Sequence, residues 1–590
     1  MNLLRGGEWL LKPTDPETVC TPERLNDEHR LIAKTVEDFV KNDVVPAIDQ
    51  LETKDWTLSR ALIKKAADLG LFGIDVAEAW GGLGLDKVTS MIVSEGMAGG
   101  ASFGATFGAH GNLMVLPLSL FGTEDQKTRY LPRLLAGDIV GAYCLSEPGS
   151  GSDALGAKTK AVRQADGSFV LNGEKTWITN GGFADLYIVF AKVVDDAGEH
   201  FSAFIVERTF PGVSTGKEEH KMGLHGSSTT PVILQDVKVP ANNLLGEVGK
   251  GHKIAFNVLN FARFKLGAMC DGGTRVALGE SAKYAAARKQ FGKPIASFGA
   301  IKHKLGEMVS RAYALESQVH RTAGMIDARI ASIPHEPADQ SAALSTLEEY
   351  AAEASIAKVA GSETLDYALD ENIQIHGGNG FVRDYPAERH YRDSRVNRIF
   401  EGTNEINRLL IPGMLVRKAL KGDLPLIAAA KALQDDMLAP NVAVPADDSA
   451  LADEKRAVDN FKKAALMVIG LALQTYGQRL TDEQEVLTYA ADILIDTYSA
   501  ESATLRAIAA SNANAPKTDL HVAAARVFVN DAATRIEAAA RHALGAMLEG
   551  DTLRTMVAAL KRLFKQLPVN TVALRRQLAD AAVQKGGYPL

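Results

Sequence analysis

Residues 142–153 read Ala-Tyr-Cys-Leu-Ser-Glu-Pro-Gly-Ser-Gly-Ser-Asp, and the chain changes character there. Upstream the pattern is helical. Leu58, Leu62, Ala66 and Leu69 recur at helical spacing and stop at Gly70, a residue suited to a left-handed cap. Ile32, Val36 and Phe39 repeat that pattern after a Thr21-Pro22 start signal. Downstream, β-rich runs at 186–193, 201–206 and 232–239 are separated by Gly, Asn and Asp clusters, which predicts antiparallel strands. Ala- and Leu-rich helical patterns return after Gly251 and continue to about residue 420. Asp435-Asp436, Pro440, Pro445 and Asp447-Asp448 then interrupt the periodicity, and a further helical stretch runs almost to the C-terminus. The expectation is a mostly α protein with a central antiparallel β domain. Its units are a helical segment 1–140, a β segment 141–250, a helical bundle 251–430, an acidic linker 431–450 and a C-terminal helical domain 451–590.

Composition narrows the function classes. A chain of 590 residues is too long for one hydrophobic core. Its formal charge of −7 argues against a nucleic-acid or anionic-membrane partner. Cys20, Cys144 and Cys270 are far apart and odd in number, so neither a disulfide framework nor a metal site is expected, and a reducing compartment fits best. Residues 1–22 show no basic segment followed by an apolar one, so no secretory signal is expected. The longest apolar run, 464–473, is about half the roughly 20 residues of a membrane-spanning helix and predicts a buried one. A cytoplasmic protein with weak lipid association at most is the expectation, because the linker's acidic charge opposes anionic lipid.

The usual nucleotide and hydrolase signatures are missing: no G-x-G-x-x-G, no Walker loop, no G-x-S-x-G and no H-E-x-x-H. Four other stretches carry chemistry. In 142–153, small and hydroxyl-bearing residues at a strand end let backbone amides approach a planar ring or a phosphate, although a flexible polar turn reads the same way. Trp177-Ile178-Thr179-Asn180-Gly181 follows. Arg288-Lys289-Gln290-Phe291-Gly292-Lys293-Pro294 ends a helical pattern, where positive charge is also favoured by the helix terminus alone. Last come Gln374-Ile375-His376-Gly377-Gly378-Asn379-Gly380-Phe381 and Arg398-Ile399-Phe400-Glu401-Gly402-Thr403-Asn404-Glu405-Ile406.

In this order and spacing, the four stretches resemble the acyl-CoA dehydrogenase family over about residues 25–420. The added C-terminal helices, Phe298-Gly299 and Gly586-Gly587 resemble its very-long-chain branch. The resemblance implies a helical N-terminal domain, a β-sandwich or barrel and a helical bundle holding FAD. It implies flavin contacts from Tyr143, Leu145, Ser146, Gly151, Ser152, Trp177, Ile178 and Thr179. Arg288, Phe291, Phe298, Gln374, Gly377 and Gly378 would serve FAD across a homodimer interface, with Thr403 and Glu405 near the cofactor. Glu401 takes the position of the catalytic base. Some family members place that base just before the arginine that here is Arg263, but this neighbour is Ala262, which accepts no proton. Arg263 and Asn260 read as contacts to the CoA half or to the base loop, and Arg263 equally as a surface charge.

The implied reaction is FAD-dependent α,β-dehydrogenation of a saturated acyl-CoA to the trans-2-enoyl-CoA in fatty-acid β-oxidation, with electrons passed to an electron-transfer flavoprotein. Ser152, Asn260, Arg263, Gly104, Gly108 and Gly402 are the expected substrate contacts. The segment 101–110 falls where family members close the acyl end of the cavity. Gly104, Gly108 and Ala109 leave that end open to a long chain, unless they serve only close helix packing. An acyl-CoA oxidase, and an assembly protein retaining the fold, are the alternatives.

Overall fold

The computed structural model describes residues 3–336, 339–438 and 451–590. Four N-terminal helices matter here: α1 (Asp27–Phe39), α2 (Trp56–Asp68), α3 (Lys87–Gly96) and α4 (Ser102–His110). Helix α1 begins at Asn26, whose side chain accepts the His29 N–H at 2.8 Å. The expected Thr21-Pro22 start makes only a three-residue turn, Pro22–Arg24, because the Thr21 side chain caps nothing. Asp55 caps α2 by accepting from Thr57 and Leu58, and Gly70 closes its end at φ +75°. Val36, Phe39, Leu62 and Ala66 meet in one buried cluster.

The middle segment forms one eight-stranded sheet. Its strands are β1 (Gly141–Cys144), β2 (Lys160–Arg163), β3 (Phe169–Thr179), β4 (Leu186–Asp195), β5 (Gly198–Glu207), β6 (Val213–Thr215), β7 (Thr229–Val239) and β8 (Leu244–Leu245). The order is β6-β7-β3-β2-β4-β5-β8, with β1 also on β4. The sheet is not purely antiparallel: β1 and β2 both run parallel to β4. The reason is topological. Strand β3 is antiparallel to β2, and β4 returns from β3 after a short turn, so it lies parallel to β2. The sheet curls round its own core, where the rings of Phe169 and Phe204 are 5.1 Å apart. Strand β4 is apolar on both faces. Tyr187, Val189 and Ala191 face that core, while Leu186, Ile188 and Phe190 pack on the helices.

Long helices follow: α5 (Gly251–Ala287), α6 (Gly299–Ser332), α7 (Ala351–His376), α8 (Pro386–Ser394), α9 (Asn404–Lys421) and α10 (Leu426–Leu438). Helix α10 occupies the first part of the expected linker. Its Ala-rich sequence keeps the helical period, and Ala429 and Leu433, one turn apart, pack on the core while Asp435 stays exposed. The rest of that linker, 439–450, lies outside the described residues. The last helices are α11 (Ala452–Tyr476), α12 (Gln484–Asn512), α13 (Thr518–Met547), α14 (Gly550–Leu563) and α15 (Thr571–Lys585).

The expected division at residue 451 does not divide the core. Ile356, Val359, Ile411 and Leu415 pack in one cluster with Phe461, Ile493 and Ile536. The N-terminal Trp9 joins that cluster too. It is 1% exposed, meets the Tyr498 ring at 4.9 Å with the planes tilted by 54°, and donates its indole N–H to Glu353 Oε1 at 3.0 Å. A tryptophan at a chain start is held when a large apolar area is available to bury it. Residues 464–473 lie inside α11, mostly buried, and no described helix is long and apolar enough to cross a membrane.

Candidate active site

A cavity of about 170 Å³ lies between α3, α4, α5, α7 and the segment that follows α8. Gly104 and Gly108 line one wall and Ala262, Met269 and Val276 another, while Glu401 lines the cavity together with Lys265, His390, Asp393 and Asn397. Along α5 the lining runs from Ala262 to Val276, about 21 Å of helix at about 1.5 Å per residue. Thr179, at the end of β3, reaches the same cavity.

Glu401 sits in a short loop between the turn Arg395–Arg398 and α9. Its φ is +57° and that of Gly402 is +81°. A left-handed residue with a side chain costs on the order of 1 kcal/mol and persists only where its surroundings fix it. Here they do. Arg263 Nε donates to the Glu401 carbonyl at 2.9 Å, and Asn260 Oδ1 accepts from Arg263 at 3.1 Å. The Gly402 carbonyl accepts from Lys358 Nζ and from Asn407 Nδ2, both at 2.9 Å. Thr403 then starts α9 by accepting the Ile406 N–H at 3.2 Å. Glycine at 402 has a second reason besides φ. A Cβ there would stand 3.2 Å from Asn407 Nδ2 and 3.3 Å from Arg263 Nη2.

Burial raises the Glu401 carboxyl to about 7, against the opposing pull of Arg263 and Lys358. The Lys358 ammonium is itself pushed down to about 8 by burial. Burial, with Glu401 beside it, drives the Tyr143 hydroxyl well above its ordinary range. That hydroxyl has no hydrogen-bond partner among the described residues, and its ring meets Phe190 edge-on at 5.1 Å.

The 142–153 stretch leaves β1 as a turn fixed from beneath by a buried ion pair, Glu147 to Lys175 at 2.7 Å. Glu147 also accepts the N–H groups of Lys158 and Thr159. Above this anchor the turn is open, and a Cβ on Gly149 or Gly151 would meet nothing within 4 Å. Trp177 is no core residue. It lies at a register shift of β3, with φ +59° and 63% of its surface exposed. Ile178 points the opposite way, into the sheet core, so only its backbone faces outward; Leu145 likewise packs on a core. The Thr403 hydroxyl is engaged as a helix cap, and Glu405 lies exposed in the first turn of α9.

A second group of expected residues stands apart from the cavity lining. Helix α5 stops at Ala287, and Lys289–Gln290 pairs with Lys293–Pro294 in a small hairpin. Its two turn residues, Phe291 and Gly292, both have positive φ, as a two-residue hairpin turn requires. Arg288 is exposed, Phe291 is 93% exposed, and Phe298 meets Phe291 at 6.0 Å. Gln374, Gly377 and Gly378 are likewise exposed, at the end of α7. Sequence reasoning missed Lys358 and Asn407. Asn407 stands just past the quoted motif, while Lys358 lies in an Ala-rich helix with no local sign of its task.

Helical, β and helical segments surround a buried carboxyl that lines a largely apolar cavity, and known enzymes share that organisation. Family models for the N-terminal, middle and C-terminal domains of acyl-CoA dehydrogenase match residues 26–138, 142–237 and 249–414, and a further C-terminal model matches 460–562. A probable acyl-CoA dehydrogenase of Bacillus subtilis is 48% identical over 99% of this chain and 98% of its own. The human very long-chain specific acyl-CoA dehydrogenase is 40% identical over 64% of this chain and 54% of its own. The crystal structure of an acyl-CoA dehydrogenase complexed with FAD from Bacillus anthracis covers all of both chains, with 48% identity and a TM-score of 0.96. Butyryl-CoA dehydrogenase from Megasphaera elsdenii covers 67% of this chain and 99% of its own, with 35% identity and a TM-score of 0.60. The chain belongs to the acyl-CoA dehydrogenase family.

Proposed function

We propose that the chain dehydrogenates saturated long-chain acyl-CoA at the α,β bond, with Glu401 as the base. One observation carries this reading: a desolvated carboxyl, at about 7 in pKa, on the lining of a largely apolar cavity. The residues present suit FAD. Trp177 offers an exposed ring face, Thr179 reaches the cavity, the 149–151 backbone is open, and the buried Tyr143 hydroxyl lacks a partner. When bound, FAD supplies the acceptor for the β-hydrogen, which leaves as hydride.

The protein's own part is proton removal and positioning. An acyl-CoA α-proton is a very weak acid in water. Burial makes Glu401 a stronger base than an exposed carboxylate, and the Glu401 N–H is the proposed donor to the thioester oxygen. Only the ionised carboxylate accepts a proton, so kcat/KM is expected to rise with pH through a limb near 7 and then level off. A profile already flat from pH 5 upward refutes that assignment. Anaerobic titration of the flavin-loaded protein with acyl-CoAs of increasing length tests the reaction itself, and an absence of flavin bleaching with every length overturns it. We assign the electrons to an electron-transfer flavoprotein, which hydrogen peroxide as the main product in aerated buffer contradicts.

Arg288, Gln374, Gly377 and Gly378 face outward, which favours service to the cofactor of a second copy. An arginine fork suits a pyrophosphate through paired charged hydrogen bonds. The expected assembly is a homodimer, and Arg288→Ala lowers flavin occupancy without unfolding the chain. Light scattering that gives a monomer with full flavin occupancy refutes it.

A further inference from the structure

We propose that Lys358 is a positioning residue for this reaction: it fixes the left-handed loop that presents Glu401, and its charge favours the ionised form of that carboxylate against the effect of burial. The inference rests on the reading of Glu401 as base. Lys358 lies on α7 with none of its surface exposed. A buried ammonium is costly unless it finds acceptors, and here it has two. The Gly402 carbonyl accepts at 2.9 Å and Asn404 Oδ1 at 2.6 Å. The first lies one residue after Glu401, and the second opens α9. One side chain therefore ties together both ends of the Gly402–Asn404 segment, whose backbone direction decides where the carboxylate points.

The clamp is braced from behind. Asn404 Nδ2 donates to Ser362 Oγ and to Glu363 Oε1, both at 3.0 Å. Glu363 accepts both Nη groups of Arg408, at 2.7 and 2.8 Å, and Arg408 Nε reaches Asp492 on α12 at 2.7 Å. Arg263 holds the Glu401 carbonyl from α5, so the loop is gripped by one cation from each of two helices. These grips are not equivalent. Arg263 fixes the carbonyl of the base residue itself, whereas Lys358 fixes the peptide that follows and the start of the next helix.

The charges facing the pair set the sign of the expected effect. Glu401 is faced by Arg263, Lys358 and the Tyr143 hydroxyl, and Lys358 by Cys270, Glu401, Arg263 and Glu363. A cation favours the ionised carboxylate, so its removal raises the pH at which Glu401 ionises. A residue that only filled space would leave that pH unchanged.

The experiment compares Lys358→Gln, which keeps a donor and loses the charge, with Lys358→Met, which loses both. Both are measured as flavin-loaded protein with a long-chain acyl-CoA across pH 5.5–9. Lys358→Gln is expected to move the acid limb of kcat/KM up by about one pH unit, with the high-pH plateau of kcat lowered less than about tenfold. Lys358→Met is expected to show the same shift and a plateau of kcat lowered about a hundredfold, with KM changed less than about threefold. Should the methionine variant not hold flavin, the glutamine variant alone decides. An unmoved or lowered limb in a flavin-loaded Lys358→Gln protein overturns the inference. The base reading fails separately: it falls if Glu401→Gln remains active, whatever Lys358 does.

Discussion

Glu401→Gln is expected to keep its fold and its flavin while losing dehydrogenation by at least 10²- to 10⁴-fold, the usual scale for removal of a general base. The amide is nearly isosteric with the carboxyl but has no useful basicity. Tolerance of the substitution follows from the site. Because burial places the carboxyl near 7, its neutral form is already well populated at neutral pH, and the loop accommodates it. The backbone grips act on the carbonyls of Glu401 and Gly402, not on the carboxyl, so they survive. Ala262, which lines the same cavity, offers no substitute proton acceptor. The decisive measurement is single-turnover flavin bleaching with a saturated acyl-CoA, beside the absorbance change on binding the enoyl product. Retained product binding with lost bleaching isolates the chemical step. Activity above about a tenth of the parent would remove Glu401 from the mechanism.

What the sequence disclosed, and what it did not, follows the range of the interactions. Glu401, Gly402 and Thr403 stood out in the sequence only through the family resemblance of 398–406, while the left-handed turn at 401–402 and the helix cap at Thr403 came from the structure. Trp177 and Thr179 were likewise singled out by resemblance, and the structure adds that they share one strand end. Lys358 was not, since its acceptor lies far along the chain and only the folded pairing of α7 with the base loop reveals it. The parallel neighbours of β4 escaped for a like reason, because periodicity identifies strands without fixing their partners. Two local signals were misjudged. Pro22 looked like a helix start, yet Asn26 supplies the cap bond. Asp435-Asp436 looked like the onset of a linker, yet α10 runs on through residue 438. A pair of charges at a helix end weakens it less than packed apolar neighbours support it.

Turnover is expected to be best with long acyl chains and poor with butyryl-CoA, and Gly104→Leu is expected to reverse much of that preference. The cleft lining follows α5 for about 21 Å, and its other wall sets the small residues Ala101, Gly104, Ala105 and Gly108 beside Met97, Phe107 and Leu113. Each methylene moved from water into such a wall is worth about 0.8 kcal/mol, so affinity climbs about fourfold per carbon until the space ends. Close helix packing is the competing account of these small residues, and the surroundings of Gly104 distinguish the two. A Cβ there would stand 3.3 Å from the Met97 carbonyl and 3.9 Å from Met269 Sδ, so the first carbon fits once the Met97 backbone gives by a few tenths of an ångström. Beyond it the leucine branches occupy volume now facing the cleft. Displacing about three methylenes of a bound chain removes ~2.4 kcal/mol, close to a fiftyfold loss in kcat/KM. That loss should appear with palmitoyl-CoA and not with hexanoyl-CoA, while flavin content and melting temperature stay near the parent's. Equal losses with both substrates would mean that the leucine disturbs packing and not chain length. A parent enzyme most efficient on butyryl-CoA would mean that the cleft does not hold the acyl chain along α5 at all.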